Sequence, residues 1–275
     1  MSLLGLPWTS EKDLEDIDFA DDLRLIATTR EQLQDKAEDL AEEAEKEGLR
    51  INYKKTKEMR HNTTDSTPLL IKGNQIEQVA SFCYLGSIVD QSGGTEADIA
   101  TRINKARAAF SQLKPVWNSS ILTRRTKVRI FNSNVKAVLL YGCETWFVRK
   151  DLMTKLQVFV NKFLRQILHI FWPNWITNAH LWRITGQAPV HKEIQTRKWH
   201  WIGHILRKPD THLSKVALTW KMPGKRKHGR PKSTWRRSVK QELGVLGIGW
   251  EEATQAAQDR SQWKKKIRAL HPSRG

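Results

Sequence analysis

No stretch of this sequence approaches the roughly 18 consecutive apolar residues of a membrane-spanning helix. The N-terminus has no basic segment followed by an apolar one, so it does not read as a signal peptide. Cysteine is scarce, with only Cys83 and Cys143. Both sit in apolar surroundings, which favours core thiols over a bridge or a metal pair. That usage suits a reducing compartment, nucleus or cytoplasm. No Gly-rich phosphate loop and no nucleophile triad stands out. His200 and His204 are four apart, a spacing used for zinc, but no Cys or carboxylate nearby in sequence supplies a third ligand. Surface or packed imidazoles account for them. Apolar residues make up 39% of the 275 positions, a little low, and Trp is abundant at 12. Such a chain folds around a sizeable core and keeps much solvated surface.

What the chain has is positive charge, unevenly placed. The net charge is +18, yet Glu11 to Glu47 holds fifteen acids against five bases, a net of −10 that leaves +28 on the rest. A surface of that sign is built for a polyanion.

Apolar spacing divides the chain. Asp13 to Ala27 reads as a hairpin with Ala20-Asp21-Asp22 at its tip. A helix follows, with Thr29 and Gln32 as capping box, a stripe of Leu33, Ala37, Leu40, Ala41 and Ala44, and Gly48 as terminator. "LRINYKK" alternates Leu49, Ile51 and Tyr53, the period of a strand. "LLIKGNQIEQV" reads as a hairpin turning at Gly73-Asn74, and "SFCYLGSIV" as a further β-prone run. After "DQSGG" the period changes. Thr95 and Asp98 predict a capping box for a helix bearing Ile99, Ile103, Ala106, Phe110 and Leu113. Further helices are expected over Thr126 to about Tyr141, Leu152 to Ile170, and Trp250 to Leu270. No tandem repeat is present.

Two constellations carry chemistry. The turn "FADD" presents adjacent carboxylates, Asp21 and Asp22, in a setting where burying them would be expensive. One reading is an ordinary exposed turn, for which Asp is well suited. The other is a Mg²⁺ site serving phosphoryl transfer. The second constellation is the tail. His191 to Lys240 holds fifteen Lys/Arg and two acids, with Trp199, Trp201, Trp220 and Trp235 interleaved. Each indole reads either as a core anchor or as a stacking platform for unpaired bases, while the bases gain affinity by releasing counterions. Within it, "GKRKHGRPK" is close to the Gly-Arg-Pro core of a minor-groove hook, with His228 where an Arg is usual. A nuclear-localisation cluster and a solvated linker are the other readings.

The ordered set of motifs resembles the reverse transcriptases of retrotransposons without long terminal repeats, closest to the RTE clade. "LPWTSEKDLEDIDFADDLRLIA" is similar to their catalytic hairpin, "GLRINYKKTK" to the next palm motif, and "FCYLGSIVD" to the primer-grip hairpin. The helices after Gly94 are similar to the thumb, and "RKWHWIGHILRKP" with "GRPKSTW" to the family's C-terminal region. The resemblance implies an α+β fold: a partial antiparallel palm subdomain over 1–92, a helical thumb bundle over 93–170, and a basic, mostly helical C-terminal region over 171–275. It implies Asp21 and Asp22 as Mg²⁺ ligands and Lys55 beside the departing pyrophosphate, all three catalytic. It makes Tyr84, Leu85 and Gly86 the primer grip. Lys225, Arg226, Lys227, Arg230, Lys232, Arg236 and Arg237 are the expected nucleic-acid contacts, and RNA and DNA, as primer–template, the partners; a membrane is not. The family's polymerase site also needs an Asp from a strand well upstream, and only 20 residues precede Asp21. The sequence therefore reads as a reverse-transcriptase fragment truncated through the palm, inactive alone and still binding nucleic acid, with the missing portion supplied, if at all, by another chain. The alternative is a non-enzymatic nucleic-acid- or chromatin-binding protein acting through its basic C-terminal region.

Overall fold

The computed structural model describes residues 5–9, 13–220 and 234–270. These form two compact units. One comprises the described residues up to Gly93 together with 216–220; the other runs from Gly94 to Lys215 and resumes over 234–270.

The first unit is built from short ribbons and one helix. Strands β1 (Leu6–Pro7) and β2 (Asp13–Leu14) pair antiparallel, as do β3 (Asp16–Phe19) and β4 (Asp22–Leu25). Helix α1 (Arg30–Lys46) follows, then β5 (Lys57–Glu58), β6 (Leu70–Ile71), β7 (Asn74–Gln75) and β8 (Glu77–Gln78). The ribbon β9 (Ser81–Tyr84) with β10 (Ser87–Asp90) completes it. Strand β5 pairs parallel with β8, and β6 antiparallel with β7. Among the described residues every sheet has two strands.

The start of α1 is capped as its sequence predicts, Gln32 N–H donating to Thr29 Oγ1 at 3.3 Å. Gln32 Oε1 returns to Thr28 N–H. Ala37 and Ala41 meet Leu69, Ile71 and Ile76 in a small core, with Leu33, Ile51 and Tyr53 at its edge. Two polar side chains of α1 also act on the chain beside it: Leu70 N–H donates to Gln34 Oε1 and Lys72 N–H to Glu38. The helix thus satisfies backbone groups along the open side of β6 that a third strand would otherwise take.

Two local expectations are corrected here. "LRINYKK" is not a strand. Asn52 accepts from Lys55 N–H through both its side chain (3.2 Å) and its carbonyl (3.0 Å), folding the segment into a turn. An Asn side chain offers the backbone this alternative to a ladder. The hairpin after Leu69 turns at Lys72-Gly73, one residue earlier than Gly73-Asn74, with φ of 49° and 75°. Both central residues of such a primed turn need positive φ, and Asn74 instead begins β7.

The second unit is helical: α2 (Glu96–Gln112), α3 (Lys114–Asn118), α4 (Arg124–Ile130), a π-helical Phe131–Lys136, α5 (Ala137–Leu139), α6 (Lys150–Ile167), α7 (Asn178–Thr185) and α8 (Val190–Leu206). Helix α9 (Leu213–Thr219) crosses the division between units, and α10 (Trp235–Val245), α11 (Trp250–Gln258) and α12 (Arg260–Ala269) complete the second. Its main core gathers Ile99, Ala106, Phe131, Leu139, Leu156 and Leu164. Thr95 does not cap α2. Its hydroxyl donates to Phe147 O at 2.8 Å, and Asp98 accepts from Trp146 Nε1 at 2.8 Å. Tertiary partners have taken both members of the expected box. The terminal helix is two helices, because Asp259 caps a new start, accepting from Ser261 and Gln262 N–H. No described helix is long and apolar enough to cross a membrane.

The two thiols part company. Cys143 is fully buried, and desolvation pushes its pKa up to about 12. Cys83 is exposed, against the expectation of a core thiol, because β9 alternates and Phe82 and Tyr84 take the packed face. Iodoacetamide at mildly alkaline pH should therefore modify one cysteine in the native protein and both in denaturant, as read by mass spectrometry. Native modification of Cys143 would contradict this burial.

Candidate functional site

The acidic hairpin is closed by Ala20 and Asp21, with Asp22 the first residue of β4. Ala20 has φ +55°, a conformation the two-residue turn demands at its first central position. Cross-strand partners in an antiparallel ribbon share a face. Phe19 faces Asp22, and Ile17 faces Arg24; Asp16 and Asp18 lie opposite Leu25 and Leu23 on the other side. So Asp22 shares its face with Arg24, and the two earlier acids occupy the reverse face. Asp21 and Asp22 are solvent-exposed. Burial, then the neighbouring Asp18, raises the Asp16 carboxyl above its ordinary value.

The second ribbon meets this face. The Arg24 guanidinium lies 3.8 Å from the Tyr84 ring centroid and 4.9 Å from that of Phe82. Tyr84 Oη donates to Ile17 O at 3.4 Å. Burial pulls Arg24 below its ordinary pKa, and the Tyr84 phenol works in the opposite direction. Its Nε and Nη2 are buried without a hydrogen-bond partner among the described residues. The aromatic faces are what hold this cation, at about 2 kcal/mol for a desolvated pair. Leu85 and Gly86 form the turn of the second ribbon, with φ of 46° and 81°. The fold thus brings the Asp21-Asp22 hairpin together with Tyr84. Lys55 stays in the Asn52 turn, exposed.

The carboxylates do not fit a resident two-ion Mg²⁺ centre. Such a centre needs several converging oxygen ligands. Here Asp22 and the Asp16–Asp18 pair point to opposite sides of one ribbon. Among the described residues no three His, Cys, Asp or Glu side chains gather to hold a metal ion, His200 and His204 included.

Of the expected nucleic-acid contacts, Lys225, Arg226, Lys227, Arg230 and Lys232 lie outside the described residues. Arg236 and Arg237 fall in the first turn of α10, capped by Thr234. Burial lowers Arg236 from its ordinary pKa. The four tail tryptophans serve as anchors. Trp199 is fully buried, and Trp201 meets Trp235 edge-on at 6.2 Å. Trp235 Nε1 donates to Glu144 O at 2.8 Å. Trp220 stacks on Trp8 at 5.4 Å and donates to Pro7 O. Sequence reasoning missed Arg24, since nothing local in "DLRLIA" points to two aromatic rings nearly sixty residues on.

A family model described as a domain of unknown function (DUF6451) matches residues 109–141, the stretch from the end of α2 to just past α5. A curated relative, an uncharacterized transposon-derived protein of Caenorhabditis elegans, is 26% identical over 269 residues, covering 94% of this chain and 96% of the relative. Similarity across nearly the whole of both chains points to a transposable-element origin.

Proposed function

We propose that the chain is a nucleic-acid-binding derivative of a retrotransposon reverse transcriptase that holds primer–template strands and does not polymerise alone. One observation carries the binding. From Ile99 to Cys143 there is no acid and there are nine basic residues, of which Lys105, Arg107, Lys114, Arg124, Arg125 and Arg129 are solvent-exposed. Cations without an acidic partner among the described residues suit phosphate contact, whose affinity comes from counterion release. The transposon-derived relative and the ordered polymerase-like motifs support the ancestry. The opposed carboxylates of the hairpin argue against unaided chemistry.

Binding of a primer–template should weaken steeply as salt rises, with a negative log–log slope of several units. Binding indifferent to salt would overturn the reading. In primer extension with Mg²⁺ and deoxynucleotides, the protein and its Asp21→Ala/Asp22→Ala variant should give the same baseline. Extension by the unaltered protein well above that variant would show a working centre.

A further inference from the structure

A cavity of about 410 Å³ opens between α2, α3 and α6, within the size range of small-ligand pockets, about 300–1,000 Å³. Its rim carries Arg107, Lys114, Lys162 and His169. A second concavity of about 450 Å³ shares Asn118 and His169 with it and adds Arg124 and Lys127. No acid lines either one.

The floor is aromatic. Phe110 stacks on Trp117 with centroids 4.9 Å apart and planes 16° apart, and sits 4.0 Å from Phe163. All three belong to the main core, so the floor is rigid. Phe171 forms a wall and is 56% exposed. The chain then presents Trp172, 92% exposed, and Trp175, 74% exposed. An exposed Phe171 face among these cations, with Trp172 next to it in the chain, matches a partner that alternates π faces with negative charge, which is what unpaired nucleotides offer. A flat anionic membrane would reach the protruding indoles and leave the recessed floor empty.

We propose that this cavity takes an unpaired nucleobase of single-stranded DNA or RNA. The base stacks on Phe171 above the Phe110–Trp117 floor, Arg107, Lys114 and Lys162 hold the flanking phosphates, and Trp172 offers its face to the next base. The proposal rests on the nucleic-acid-binding reading and locates it on the helical unit instead of the basic tail.

Fluorescence anisotropy of the full chain with labelled oligo(dT), oligo(rU) and a blunt-ended two-strand duplex tests it. Phe171→Ala/Trp172→Ala alters exposed side chains and should bind both single strands about tenfold more weakly, with duplex affinity and salt slope unchanged. Trp172→Phe should retain binding. Lys114→Ala/Lys162→Ala should reduce the single-strand salt slope by about 1.4. A loss confined to oligo(dT) or to oligo(rU) supports the site and identifies its sugar. Unchanged single-strand affinity in the aromatic variant, with loss in Lys225→Ala/Arg226→Ala/Lys227→Ala, would overturn the pocket and leave the binding reading standing, as would an equal loss for single strand and duplex. Absence of binding by the unaltered protein to every probe at low salt would overturn both.

Discussion

Replacing Glu242 by alanine is expected to destabilise the helical unit by about 3–5 kcal/mol. Glu242 Oε1 accepts from Lys198 Nζ at 2.6 Å, and its Oε2 accepts from Trp199 Nε1 at 2.5 Å. The lysine side chain is 7% exposed and the indole is fully buried. Removing the carboxylate, itself 20% exposed, would leave a buried ammonium and a buried N–H together without their partner. The measurement is urea unfolding followed by tryptophan fluorescence. The companion Lys198→Met/Glu242→Leu separates the cost of stranding a charge from the worth of the pair. Replacing a buried ion pair by apolar groups of similar size is often neutral, but leucine at 242 still leaves the buried Trp199 N–H without its acceptor, at about 1–3 kcal/mol, so the double variant should recover only the part of the loss that comes from the stranded ammonium. Equal losses in the two would mean that the indole hydrogen bond, and not the stranded charge, sets the cost. A loss below about 1 kcal/mol in Glu242→Ala would mean that water reaches Lys198, as at an exposed pair.

That contact also shows where the sequence stops being readable. Helical spacing marked Ile99, Ala106 and Phe110 as inward-facing, and they are buried. Caps that use neighbours in sequence, such as Thr29 with Gln32, were visible as well. Features settled at long range were not. Thr95 and Asp98 look like a capping box until Phe147 and Trp146 claim them. Asn52 ends a run whose alternation reads as a strand, because one side-chain hydrogen bond outweighs a weak period. The sequence places the acidic hairpin and its tip, yet it cannot say that Arg24 will lie against Tyr84. Nor does it warn that Phe19 and Leu23 stay 61% and 48% exposed near the tip. The acid-free run after Asp98 lies open in the sequence, but the cavity it rims depends on how α2, α3 and α6 meet.

Gly203→Ala should reverse the usual helix rule. Exchanging glycine for alanine inside a helix ordinarily gains about 1 kcal/mol. Gly203 lies within α8, and a Cβ there would stand 2.0 Å from Trp263 Nε1 and 2.5 Å from its Cδ1. The indole cannot easily withdraw: it is 3% exposed, donates to Trp199 O at 2.9 Å and meets the Trp199 ring edge-on at 5.8 Å. Overpacking of this kind costs about 1–3 kcal/mol, and displacing the indole would forfeit a buried hydrogen bond worth about 1 kcal/mol. The net expectation is a loss of about 2 kcal/mol in urea unfolding. Gly244→Ala is the internal comparison, since Gly244 lies in α10 with nothing within 4 Å of a Cβ. It should stabilise by about 0.5–1 kcal/mol. If the methyl at 203 is what crowds Trp263, then Gly203→Ala combined with Trp263→Leu should lose less than the sum of the two single changes, because residues that share a space do not add. Strict additivity, or a gain from Gly203→Ala alone, would mean that α12 does not pack its indole against this glycine.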